Sequence, residues 1–146
     1  MKKIINISKP EELLLIVDVI HDCKFDKEKI NLDPKTSILG INFYREEWEK
    51  RRIAGKFLIF KKLQVPIRES TLKISHVKSY HIQEGTQPGP GSEDFFNTIT
   101  YNKEEKEIKI STVIGKGITI KAGELELSIE ESEKIVEKKT CFTIFA

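Results

Sequence analysis

From Phe25 onward the apolar residues of this chain recur at every second position, and that period limits most strongly what it can fold into. Ile108, Ile110, Thr112 and Ile114 keep one phase, and so do Leu125, Leu127 and Ile129 against Glu124 and Glu126. Successive side chains of a strand point to opposite faces, so this alternation builds sheets with one covered face. The segments "KINLD", "SILGINFY", "FFNTITYN", "KEIKISTVI", "GITIKAG" and "ELELSIEE" read as such strands. "KFLIFKKL" is apolar on consecutive positions, as in a strand buried on both faces, and "STLKISHVKSYHIQ" keeps Leu72, Ile74, Tyr80 and Ile82 in one phase. Turn chemistry separates them: Asp33-Pro34-Lys35-Thr36, the stretch from Tyr101 to Glu107, and Gly115-Lys116-Gly117.

The only helical period precedes Phe25. Ser8 and Glu11 have the spacing of a capping box, Pro10 suits a first turn, and Leu13, Ile16, Val17 and Ile20 form a stripe on a helix running to about Asp22. Leu14, Leu15 and Val19 widen its apolar face, which implies cover on more than one side. The expected fold is α+β: an N-terminal helix packed on a mainly antiparallel meander sheet, curled into a sandwich or partly closed barrel. At 146 residues the chain reads as a single domain, 1–146, with a mobile loop over 84–94, where glycines and prolines cluster. "YREEWEKRRIAG" reads as a charged connection with one helical turn, "EKIVEKK" as a short helix or frayed linker, and "CFTIF" as a terminal strand. The aromatic rings of that last segment need cover, from the chain's own sheet or from a second copy. Pairing within the chain, and so a monomer over a homodimer, is the favoured expectation.

Composition narrows the partners. Twenty-five Lys and Arg face 23 Asp and Glu, a net charge of +2, which makes nucleic acid an unexpected partner. The apolar run Leu13–Ile20 is too short to span a bilayer and has no cleavage site after it, so a soluble cytoplasmic protein with no membrane partner is expected. Cys23 and Cys141 then read as free thiols.

Candidate chemistry begins with "VIHDCKFD", Val19 to Asp26. His21 follows Asp18 by three positions, so on a helix a carboxylate could orient an imidazole base, with Asp22 beside it. The plainer reading is a histidinium complementing the negative end of the helix dipole. No serine or cysteine nucleophile stands in a recognisable elbow. The metal candidates are His76 and His81, but five positions along a strand turn them to opposite faces, and His76, in phase with Leu72 and Ile74, reads as an inward-facing, hydrogen-bonded histidine. No cofactor is implied. Binding candidates are Trp48, a lone tryptophan among charges, and the loop glycines Gly85, Gly89 and Gly91. Lys50, Arg51 and Arg52 lie beside Glu46, Glu47 and Glu49, and read as a solvated, self-paired surface. These features favour a small non-catalytic binding or protein-interaction module, its partner another protein or a small ligand. The alternative is a metal-dependent or acid/base enzyme using the His21 region.

Overall fold

The computed structural model describes residues 2–57, 59–83 and 92–144. Gly85, Gly89 and Gly91 therefore lie outside the described residues, as does most of the stretch expected to be a loop. Its last two residues, Glu93 and Asp94, are the first of a strand.

Among the described residues the chain is mostly antiparallel sheet with one short α-helix. The strands are β1 (Lys2–Ile7), β2 (Lys24–Asp26), β3 (Asn31–Asp33), β4 (Ile38–Glu46), β5 (Arg52–Phe57), β6 (Phe60–Ile74), β7 (Val77–Gln83), β8 (Glu93–Asn102), β9 (Glu107–Thr112), β10 (Gly117–Ala122) and β11 (Leu127–Ile144), with α1 over Leu13–Ile20. They pair in the order β1-β11-β6-β4-β2-β8-β9-β10-β7, while β3 joins β4 and β5 joins β6 at the side. This path is not closed. Only β8-β9-β10 is a simple meander; the expected meander is otherwise replaced by long-range pairings such as β1 with β11.

The α+β expectation holds in outline, and the departures from it have local causes. The N-terminal residues form β1, which an eye fixed on the following helix passes over. The helix ends at Ile20 rather than at about Asp22, with a 3-10 turn at Pro10–Glu12 before it. Glu12, not Glu11, reaches back, its carboxylate accepting from the Lys9 amide at 3.1 Å. Leu13, Ile16 and Ile20 are buried, but Leu14 and Leu15 are exposed, so the helix is covered on one side only. "KFLIFKKL" is the end of β5, a turn and the start of β6 rather than one buried strand, and Ile59 and Phe60 stand in solvent. "STLKISHVKSYHIQ" breaks between β6 and β7 because His76 adopts φ 58, and its carbonyl accepts from Gly123. "EKIVEKK" is neither helix nor linker: β11 runs through it, paired with β6 across two bulges.

One cluster of buried side chains draws on α1 and on strands from both ends of the path, from Ile7 and Ile129 to Val77 and Ile120. At its centre Phe25 stacks on Phe96 at 4.2 Å, and Phe43 meets the Phe96 ring edge-on at 5.9 Å. α1 lays its stripe on β8, with further contacts to β1 and β4. Gly117, at φ 107, opens β10 where any Cβ would fall on the Ile110 carbonyl.

The turn between β9 and β10 is pinned from below by Asp94, a fully buried carboxylate. It accepts from the backbone N–H groups of Phe95 (2.8 Å), Ile114 (2.8 Å) and Gly115 (2.9 Å). Burial alone would raise its pKa, but these backbone donors outweigh it and hold the carboxyl below its ordinary value. A depressed folded-state pKa means the stabilisation is complete above the unfolded value, near about 4, and is lost as pH falls through the folded one. Replacing Asp94 with Ala should therefore cost about 3 kcal/mol at neutral pH, through three amides left without an acceptor. Thermal melts should also show the wild type losing stability below about pH 4 more steeply than Asp94→Asn.

Candidate functional site

The helix C-terminus determines where an open groove forms. His21 ends α1 with φ −53 and ψ 129, and Asp22 follows at φ 64, a left-handed conformation that aspartate tolerates better than most residues. This reversal sends the chain into β2, and the Asp22 amide donates to the Phe96 carbonyl at 2.8 Å. Beyond β2, β4 runs to Glu46 and gives way to a 3-10 turn at Trp48–Lys50. Between the helix end, β2, the end of β4 and this turn lies an open groove of about 1110 Å³.

The groove gathers residues that sequence spacing could not place together. Asp18, His21, Asp22 and Trp48 all line it, with Cys23 and the strand residues Lys24, Tyr44, Arg45 and Phe95. The pairing expected between His21 and Asp18 is not formed. His21 Nδ1 donates to the Asn97 carbonyl at 2.9 Å, and Nε2 lies 3.4 Å from the Asp22 carboxylate. Asp18 makes no hydrogen bond or ion pair with a described residue. The imidazole thus fastens the helix end to β8, and the nitrogen that a general base would use faces a carboxylate. Cys23 is no poised nucleophile either: its thiol donates to the Val19 carbonyl at 3.4 Å, and burial pushes its pKa up to about 11.

Aromatic faces line the far wall, each already carrying a cation. Lys24 lies 6.0 Å from the centre of the Tyr44 ring, and Lys139 lies 5.9 Å from that of Trp48. Trp48 is 40% exposed, and its indole N–H donates to Glu46 at 3.0 Å, while Lys139 reaches the other oxygen of the same carboxylate at 3.0 Å. The hydrogen bond to Glu46 raises the Lys139 pKa, so the ammonium stays charged over the indole. Asp18, Asp22, Asp26, Glu46 and Glu93 set five carboxylates in the lining against Lys24, Lys29 and Arg45.

Beneath the groove lies a group that sequence reading placed in solvent. Glu47 is fully buried, and its carboxylate is met by Arg68 Nε at 3.0 Å, Lys50 Nζ at 3.1 Å and Arg45 Nη2 at 3.2 Å. Arg68 also pairs with Glu131 at 2.8 Å, and Arg45 with Glu49 at 3.0 Å. The "REEWEKRR" segment does pair with itself, but around a buried centre rather than as a wet surface. No local sequence signal marks Glu47: its burial follows from its place just past the end of β4, where its backbone N–H donates to the Pro66 carbonyl at 2.8 Å.

The remaining candidates stand apart from the groove. His76 is exposed at the β6–β7 turn, not inward-facing, and its Nε2 lies 2.8 Å from Glu126 and 3.7 Å from Glu124. His81 is exposed on β7, opposite Thr119 of β10. Among the described residues no group of three or more His, Cys, Asp or Glu side chains is placed to hold a metal ion.

Removing one member of a buried ion network leaves the others uncompensated. Glu47→Ala should therefore lower stability by about 3 kcal/mol in denaturant titration, far more than the same change at exposed Glu49. The arithmetic is dominated by Arg68 and Arg45, which would keep their charges without their shared carboxylate.

No protein-family model, no curated protein and no solved structure matches this chain, so its function has to be argued from the groove and the surfaces around it.

Proposed function

We propose that the chain is a non-catalytic binding module whose groove accepts a segment of another protein, one carrying basic and apolar side chains. The observation that carries this reading is the lining itself: five carboxylates around the Tyr44 and Trp48 rings, in a groove of about 1110 Å³. That size is at the upper end for small-molecule sites, which are usually enclosed, and an open trough suits an extended peptide better. The Tyr44 and Trp48 faces already hold lysines of the chain itself, and an incoming Lys or Arg can take the same places. Trp48 has the exposure and chemistry of an interface anchor.

The enzyme alternative finds less support. His21 has partners on both ring nitrogens, and the Cys23 thiol is protonated at neutral pH. Several coarser expectations belong to the same proposal. A single domain whose sheet curls into a partly closed barrel is supported by the buried cluster that joins both ends of the strand path. A cytoplasmic location is supported by two free thiols. No described helix is long and apolar enough to cross a membrane.

The test is a titration with a short peptide alternating Lys or Arg with Leu and Tyr, against a control with Glu in place of each cation, read by amide NMR shifts. The basic peptide should move the amides of residues 21–26 and 44–48, and Trp48→Ala should weaken it about tenfold. Equal response to both peptides, or shifts confined to other surfaces, would contradict the reading. So would stoichiometric zinc binding that is lost in His21→Ala.

A further inference from the structure

The strands β5, β6 and β11 continue past the main core as a three-stranded arm, and the arm concentrates a charge that the whole chain conceals. Residues 52–64 and 138–144 contain Arg52, Lys56, Lys61, Lys62, Lys138 and Lys139, and no Asp or Glu. Of the 25 Lys and Arg these are six, which leaves 19 against 23 acidic residues for the rest of the chain. A net charge of +2 argued against a polyanion as partner. The fold reverses that argument by gathering cations on one projection.

One face of the arm also displays aromatic rings. Residues paired across antiparallel strands share a face, and alternate residues along a strand return to it. Arg52, Gln64 and Thr140 form one row across β5, β6 and β11, and Gly55, Lys62 and Phe142 form the next. Phe60 follows two residues beyond Lys62. Phe142 is 72% exposed and Phe60 42%, so pairing within the chain's own sheet leaves the Phe142 ring uncovered, contrary to the cover expected for it. Between the rings is an apolar hollow of about 570 Å³, lined by Gly55, Lys56, Phe60, Lys62 and Phe142. Gly55 provides the opening: a Cβ there would have no atom within 4 Å.

We propose that this face binds single-stranded nucleic acid, with bases stacked on Phe142 and Phe60 and phosphates set against Lys62, Arg52 and Lys138. The two rings offer π faces without base preference, and the surrounding cations supply the backbone attraction that dominates such binding. Gln64, whose side-chain carbonyl already accepts from Arg52 at 3.0 Å, keeps its amide N–H groups beside the rings, as Thr140 does its hydroxyl, where base edges can meet them. An acyl layer would desolvate both with nothing in return. A second copy would bring like charges together. A duplex, whose bases are already stacked and paired, has no face to give the hollow.

The experiment is fluorescence anisotropy of labelled oligothymidylate with the full chain. Micromolar binding is expected at low salt, with a slope of log K against log salt of about −2 to −3, from three or four phosphate contacts at about 0.7 each. Phe142→Ala should weaken binding about tenfold, the contribution of one stacked base. Gly55→Glu should weaken it at least as much by filling the hollow with a carboxylate. Both positions are open to solvent, so both variants should melt with the wild type, which separates a lost site from a lost fold. The proposal is overturned by no binding at low salt, by affinity unchanged in both variants, or by equally tight binding to anionic lipid vesicles that oligothymidylate does not displace.

Discussion

The carboxylate of Glu47 is the interaction on which both the groove and the cationic arm depend. It is fully buried at the point where β4 leaves β6, and it is shared by Arg45, Lys50 and Arg68. Arg45 and the neighbouring Glu46 and Trp48 form the far wall of the groove. Arg68 donates to the Ser132 carbonyl at 2.7 Å and pairs with Glu131, holding the bulged stretch of β11 where the arm begins. An isolated carboxylate at that depth would be neutral or absent; three cations make it an anchor, and the geometry of wall and arm follows.

The long β6–β11 pairing distributes the two surfaces along one ladder. Its inner half, from Leu72 opposite Ile129, lies in the buried cluster, and its outer half carries Lys62 opposite Phe142. The same two strands are thus sheet core at one end and exposed platform at the other. The groove is rich in carboxylates and the arm in cations, so the proposed ligands of the two differ in sign. Lys139 is the residue that belongs to both: it projects from the arm and closes over Trp48 at the groove.

Alternation made most strands legible in the sequence, because a half-covered sheet face leaves a period of two that few other structures produce. Ile108 and Ile110 in β9, and Ile118 and Ile120 in β10, are buried as that period requires. Breaks were less visible. The turn at Ile59 lies inside an apolar run, and the reversal at His76 depends on a left-handed backbone that a histidine does not advertise. β1 is short and opens on two lysines, the middle of β11 is rich in lysine and glutamate, and both pair with ladder partners distant in sequence. At the site, sequence brought His21, Asp18, Asp22 and Trp48 forward one by one; that they share a groove follows from the topology. Glu47 was hidden because local charge balance looks the same whether a carboxylate is wet or buried. The cationic arm was hidden because its two halves are some seventy residues apart, and a whole-chain net charge averages them away.

Native-state hydrogen exchange at the Glu47 amide, which donates to the Pro66 carbonyl at 2.8 Å, tests the anchoring role most directly. If the buried carboxylate ties groove wall and arm root into the core, this amide exchanges only through global unfolding, with the denaturant dependence of amides at Phe43 and Leu72. Exchange through a local opening, at a free energy well below the global value and insensitive to denaturant, would contradict that account.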